Sequence, residues 1–135
     1  MSMKVLIADG DWRFSRQVCS YLETHAHLVV SETDPKQAVE RASHWQADLV
    51  ILASELADKT LMNALYALHP RPAILLTGWV DRYDLAWRAW QMGGDELLMK
   101  PVFRSDDLHQ AIVSAMENAA IGVRAGSTVA AAASA

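Results

Sequence analysis

The sequence holds a single cysteine, Cys19, among 135 residues, so no disulfide can form within the chain. A lone thiol suits a reducing compartment. The N-terminal residues lead directly into an apolar run without the architecture of a signal peptide, and no apolar run approaches the roughly 20 residues of a membrane-spanning helix. We therefore expect a cytoplasmic protein that neither spans nor binds a membrane.

Clusters of basic residues are also lacking. The formal net charge is −4, and lysine and arginine are scattered along the chain instead of being grouped. A protein that binds nucleic acid needs a basic patch to meet the phosphate backbone. We therefore expect no nucleic-acid binding by this domain.

The sequence does contain a regular alternation of strand-like and helix-like segments. Its composition, 52% hydrophobic and 21% charged, is typical of a globular protein, and its length fits one domain. Five apolar runs alternate with five segments of helical spacing; the runs are KVLIAD, HLVVSE, DLVILA, AILLT and ELLM. This alternation predicts an α/β fold with a five-stranded parallel sheet, doubly wound, with helices on both faces.

Local signals set the boundaries of the predicted elements. Asp34 followed by Pro35 predicts the start of the second helix, and Ser105 is predicted to cap the last helix. The apolar periodicity ends near residue 121. We therefore predict a domain over residues 1–121 and an Ala/Gly/Ser-rich tail or linker over residues 122–135.

The predicted strand ends bring together a set of polar side chains and one alanine. Ligands of an open parallel sheet bind beyond the carboxyl ends of its strands. The residues expected there are Asp9, Gly10 and Asp11 after the first strand, Ala53 after the third, Thr77 after the fourth and Lys100 after the fifth. A carboxylate, a hydroxyl and a lysine in one crevice suit phosphate and metal binding. A carboxylate on the third strand would add a nucleophile, which alanine does not supply.

Four motifs, in order and at nearly the right separations, resemble the receiver domains of bacterial two-component response regulators. They are KVLIADGD, DLVILA, ILLTG and GGDELLMKPV, and the resemblance covers residues 3 to about 119. It implies a flavodoxin-like strand order of 2-1-3-4-5. It also implies a signalling role, in which an aspartate takes phosphate from a histidine kinase beside bound magnesium and an aromatic residue reports the change.

Half of the family's site residues are absent from this chain. The positions that agree are Asp9 for the first acidic residue, Thr77 for the hydroxyl and Lys100 for the lysine. The positions that depart are Gly10 for the second acidic residue, Ala53 for the phosphoacceptor and Leu97 for the switch aromatic. The chain therefore resembles a degenerate receiver, or pseudo-receiver, that lacks the phosphoacceptor aspartate.

The alanine removes the family's chemistry. The methyl group of Ala53 cannot form an acyl phosphate, and magnesium prefers octahedral oxygen ligands with carboxylate charge. We therefore expect no enzyme activity, no cofactor, and weak or absent magnesium binding. A displaced carboxylate, Asp11 or Glu55, is the alternative phosphoacceptor.

Lys100 needs a counter-charge if it is buried, because an unpaired buried ammonium is costly. We predict that it pairs with Asp9, so that an internal ion pair replaces a metal-bridged site. In the alternative, Lys100 reaches solvent through a shallower pocket.

A group of aromatic residues predicts a protein interface. At 100° per residue, Tyr83, Trp87 and Trp90 lie opposite the apolar stripe of the fourth helix, and Trp79 precedes them. Tyrosine and tryptophan often anchor interfaces, and in the resembled family the fourth helix, fifth strand and last helix form the common partner surface. Alternatively, individual rings fold over neighbouring elements and complete the core.

These observations predict a phosphorylation-independent signalling module that docks a protein partner or a second copy of itself. Two alternatives stay open. One is a sensor that holds a small ligand or anion near Ala53, Thr77 and Lys100, where the lysine and free backbone N–H groups would meet it. The other is a phosphoacceptor that uses a displaced carboxylate.

Overall fold

The computed structural model describes residues 2–122 of the 135-residue chain. Except for Gly122, the predicted tail over residues 122–135 lies outside this range, so the domain boundary stays a prediction. Within residues 2–122, no helix is long and apolar enough to cross a membrane.

The described residues form one five-stranded parallel sheet. Its strands are β1 (Lys4–Ala8), β2 (Leu28–Ser31), β3 (Leu49–Ala53), β4 (Ala73–Trp79) and β5 (Glu96–Lys100). The strand order is β2-β1-β3-β4-β5, and every neighbouring pair is parallel. The predicted α/β fold and its strand order are confirmed.

Five helices and one 3₁₀ turn connect the strands within the same range. They are α1 (Trp12–Thr24), α2 (Pro35–Trp45), α3 (Lys59–Tyr66), the 3₁₀ turn Val80–Arg82, α4 (Tyr83–Met92) and α5 (Ser105–Ala120). Aspartate side chains cap the first three helices, and the cap of α2 is the predicted Asp34. The predicted Ser105 cap is wrong, because the extended backbone of the capping position belongs to Arg104 and Ser105 is already helical.

Two apolar layers cover the two faces of the sheet. Alternate residues of each strand point to opposite faces, so Val5 and Ile7 pack beneath α1 and α5. Leu6 and Ala8 pack on the other side, with residues of α2, α3 and α4. The buried run at Leu49–Ala53 has cover on both faces because β3 is the central strand.

The strand β4 is two residues longer than predicted, because Gly78 and Trp79 pair with Met99 and Lys100 of β5. A Cβ atom on Gly78 would lie 2.7 Å from the Cβ of Ala86 in α4. The glycine therefore lets α4 lie close against the end of β4. The strand continues to Trp79, which the sequence had placed in a loop.

A buried ion pair joins β4 to the start of β5 at the amino edge of the sheet. Asp95 is fully buried and accepts two hydrogen bonds from the Arg71 guanidinium, at 2.9 and 3.0 Å. It also accepts the Ile74 N–H at 2.7 Å. The hydrogen bond to Asp95 is the main cause that raises the pKa of Arg71 above its usual value.

Replacing Asp95 by alanine should lower the free energy of unfolding by about 3–5 kcal/mol, because the change leaves a partly buried cation and a backbone donor unpaired. Urea denaturation followed by circular dichroism measures this loss. Asp106→Ala, which removes an exposed pair with Arg104, is the matched control and should cost less than about 1 kcal/mol. Equal small losses for the two variants would contradict the role given to Asp95.

Candidate functional site

The carboxyl ends of four strands bring the predicted site residues to one crevice. Asp9 directly follows β1, Lys100 ends β5, and Ala53 lies opposite Thr77 in the β3–β4 register. Their exposed fractions are 5% for Asp9, 1% for Ala53, 0% for Thr77 and 1% for Lys100. These four side chains are therefore almost fully shielded from solvent, although Gly10 beside them is exposed.

The predicted ion pair between Lys100 and Asp9 is confirmed. The Lys100 ammonium donates to Asp9 Oδ2 at 2.9 Å. The Thr77 hydroxyl donates to the same oxygen at 3.2 Å, and the other carboxylate oxygen accepts the Asp11 N–H at 2.9 Å. Each polar group of this cluster is therefore satisfied by another part of the chain.

Asp11 has two structural roles at the edge of this crevice. One carboxylate oxygen caps α1 by accepting the N–H groups of Arg13 and Phe14, at 3.1 and 3.2 Å. The other oxygen lies 3.6 Å from the Lys100 ammonium and adds to its negative surroundings. Gly10 lies between the two aspartates, and a Cβ atom there would have no neighbour within 4 Å.

Two aromatic rings complete the environment of the Lys100 ammonium. The centroids of Phe14 and Trp79 each lie 4.8 Å from its nitrogen, within the range of a cation–π contact. Sequence reasoning had missed this pair of rings. Trp79 had been grouped only with the aromatic residues of the fourth helix.

No reactive side chain stands at the end of β3. The hydroxyl of the adjacent Ser54 is buried and donates to the Thr77 carbonyl oxygen. Glu55, one of the two alternative phosphoacceptors predicted from the sequence, is exposed in the turn beyond β3. The polar groups around Ala53 are therefore hydrogen-bonded to one another, and none of them is a free nucleophile in the crevice.

Few carboxylates at the carboxyl edge of the sheet could bind a divalent cation. Within residues 2–122, no group of three or more His, Cys, Asp or Glu side chains is arranged to hold a metal ion. Asp9 and Asp11, the two carboxylates that could contribute, both face the Lys100 ammonium. The expectation of weak or absent magnesium binding stays a prediction.

Leu97 occupies the predicted switch position in β5. It is half-buried and packs against the core layer on the α2, α3 and α4 side of the sheet. An apolar side chain at this place has no hydroxyl with which to gain or lose a hydrogen bond.

The predicted aromatic group divides into exposed and packed members. Tyr83 and Trp87 are 59% and 42% exposed, and their rings stack with centroids 6.4 Å apart. Val80, also exposed, precedes them on the 3₁₀ turn. We call Val80, Tyr83 and Trp87 the exposed aromatic patch.

Trp90 and Trp79 follow the alternative in which individual rings fold over neighbouring elements. Trp90 is half-buried and packs against the core on the α2, α3 and α4 side of the sheet. Trp79 is half-buried over Lys100. A helical wheel gives only the angle of each Cα–Cβ bond, so it does not show where a long ring folds back.

Comparison with known proteins shows the fold of the chain. No family model matches it, and no curated protein matches its sequence. Among solved structures, NtrX from Brucella abortus is similar with a TM-score of 0.77 and 20% identity over 90% of this chain and 28% of its own. The chain thus spans little more than a quarter of NtrX.

Isolated domains are similar over their whole length. The response regulator receiver domain protein from Clostridium thermocellum has a TM-score of 0.71 and 21% identity, over 90% of this chain and 99% of its own. The signal receiver domain of a modulated diguanylate cyclase from Desulfovibrio desulfuricans has a TM-score of 0.74 and 20% identity, over 91% and 100%. The chain therefore has the receiver-domain fold.

Replacing Asp9 by asparagine should lower the free energy of unfolding by about 3 kcal/mol, because it leaves the buried Lys100 ammonium without its main counter-charge. The double variant Asp9→Asn/Lys100→Met should recover most of this loss, since removing both charges leaves no orphan ion. Urea denaturation of the two variants and the wild type tests the pair. A neutral single variant, or a double variant less stable than the single one, would contradict this account.

Proposed function

We propose that this chain is a pseudo-receiver, a signalling module that works without phosphorylation and acts by docking a protein partner or a second copy of itself. The observation that carries the proposal is the buried methyl group of Ala53 at the end of β3. A phosphoryl group needs an oxygen nucleophile, and alanine has none.

The Asp9–Lys100 pair supports a role without a bound ligand. The ammonium that would attract an anion is buried and already neutralised by a carboxylate at 2.9 Å. A cavity of about 220 Å³ borders Lys100, but an anion that enters it would have to compete with Asp9 for the ammonium. This arrangement favours the docking module over the sensor of a small ligand, and it favours a module without a magnesium cofactor or enzyme activity.

The exposed aromatic patch is the surface proposed for docking. Its stacked Tyr83 and Trp87 rings stay largely in solvent although they belong to the residue types that most often anchor interfaces. The patch lies on the 3₁₀ turn and α4, which connect β4 to β5. The lone cysteine and the lack of basic clusters favour a cytoplasmic protein partner over nucleic acid or a membrane.

Incubating the chain with acetyl phosphate and magnesium should leave its intact mass unchanged, because the crevice has no acceptor. Mass spectrometry of the intact protein, at neutral pH to preserve acyl phosphates, measures the result. A phosphorylated species would overturn the proposal. Asp11→Asn and Glu55→Gln would then show whether either displaced carboxylate carries the group.

Replacing Trp87 by glutamate should abolish the complex that the wild type forms, because it places a charge in the centre of the exposed aromatic patch. Self-association is measured by light scattering, and a heterologous complex by co-purification from the native cell. Trp12→Glu, at an exposed tryptophan in α1, is the matched control and should keep the complex. A wild type that forms no complex, or a Trp87 variant that keeps it, would count against docking through this patch.

A further inference from the structure

The start of α4 lacks the support that secures the first three helices. Aspartate side chains cap α1, α2 and α3, whereas among the described residues no side chain makes a capping hydrogen bond to the 3₁₀ turn or to α4. The first N–H groups of a helix have no intrahelical partner, so a missing cap weakens its first turn. The entry to α4 therefore depends more on contacts made by the residues that flank it; α5 likewise has no side-chain cap.

Trp79 is the residue in a position to supply that contact. It ends β4, directly precedes the 3₁₀ turn, and lies opposite Lys100 in the β4–β5 register. Its ring covers the Lys100 ammonium at 4.8 Å. A cation–π contact is strongest where the cation is shielded from water, and Lys100 is shielded here.

The same ammonium is held in place by the Asp9 carboxylate. A chain of contacts therefore runs from Asp9 to Lys100, from Lys100 to Trp79, and from Trp79 into the 3₁₀ turn. The residues of the exposed aromatic patch lie on the 3₁₀ turn and the first turns of α4, directly after Trp79.

We propose that the Asp9–Lys100 pair, acting through Trp79, fixes the conformation of the 3₁₀ turn and α4 and so keeps the exposed aromatic patch ready for docking. Because coupling between two sites is reciprocal, a partner that grips the patch stabilises the pair, and loss of the pair weakens the patch. This inference gives the proposed docking surface a regulating element, and it therefore rests on the proposed function.

Hydrogen exchange tests the coupling without the need for a partner or a phosphoryl donor. The amides of residues 87–91 are the first in α4 to bond within the helix, and those of residues 39–43 hold the equivalent positions in α2, which has an aspartate cap. In Trp79→Leu and in the double variant Asp9→Asn/Lys100→Met, exchange at 87–91 should rise by about tenfold, the size of effect expected from one shielded cation–π contact. Exchange at 39–43 should change much less.

Trp12→Leu is the matched control, because it removes an exposed tryptophan whose cation–π contacts are with Arg13 and Arg16. It should leave exchange at residues 87–91 unchanged. Unchanged exchange at 87–91 in Trp79→Leu would overturn the proposal. So would a rise in Trp79→Leu that the double variant does not share, since the ring would then act without the cation.

A uniform rise in both segments would also overturn it, because the effect would be global and not local. None of these outcomes depends on whether the chain accepts phosphate or binds a partner. Failure of this inference is therefore distinguishable from failure of the proposed function, which the intact-mass and complex-formation experiments test.

Discussion

The ion pair between Asp9 and Lys100 is the interaction on which the site depends. Two opposite charges leave water together at the carboxyl edge of the sheet, where they are joined by the Thr77 hydroxyl and enclosed by two aromatic rings. Removing either charge alone would leave the other buried without its main counter-charge. The pair thereby ties the ends of β1, β4 and β5 together and fills the place where the fold would otherwise receive a ligand.

The sheet and the ion pair could be predicted from the sequence because each follows from a strong physical constraint. Apolar runs such as Leu49–Ala53 need cover on both faces, and their alternation with helical segments admits few topologies. Residues that directly follow parallel strands meet at one edge. A lysine that arrives there needs a counter-charge, and Asp9 was the carboxylate at the end of the first strand.

The side-chain packing around the site could not be predicted in the same way. Trp90 was placed by its helical angle and Trp79 by its position before the helix, but the Trp79 ring covers Lys100 and the Trp90 ring packs against the core. Such contacts join residues distant in sequence, and a periodic pattern carries no information on them. The predicted cap at Ser105 was also wrong. A capping residue has an extended backbone, and at the start of α5 Arg104 adopts that conformation.

The central claim is that the crevice is satisfied by its own residues and takes up neither metal nor phosphoryl group. Amide chemical shifts during titration with magnesium and beryllium fluoride, a phosphoryl mimic that needs a carboxylate to coordinate it, test this most directly. The account predicts no saturable shift at Asp9, Gly10, Ala53, Thr77 or Lys100. A saturable shift at these residues would show an accessible site and contradict it.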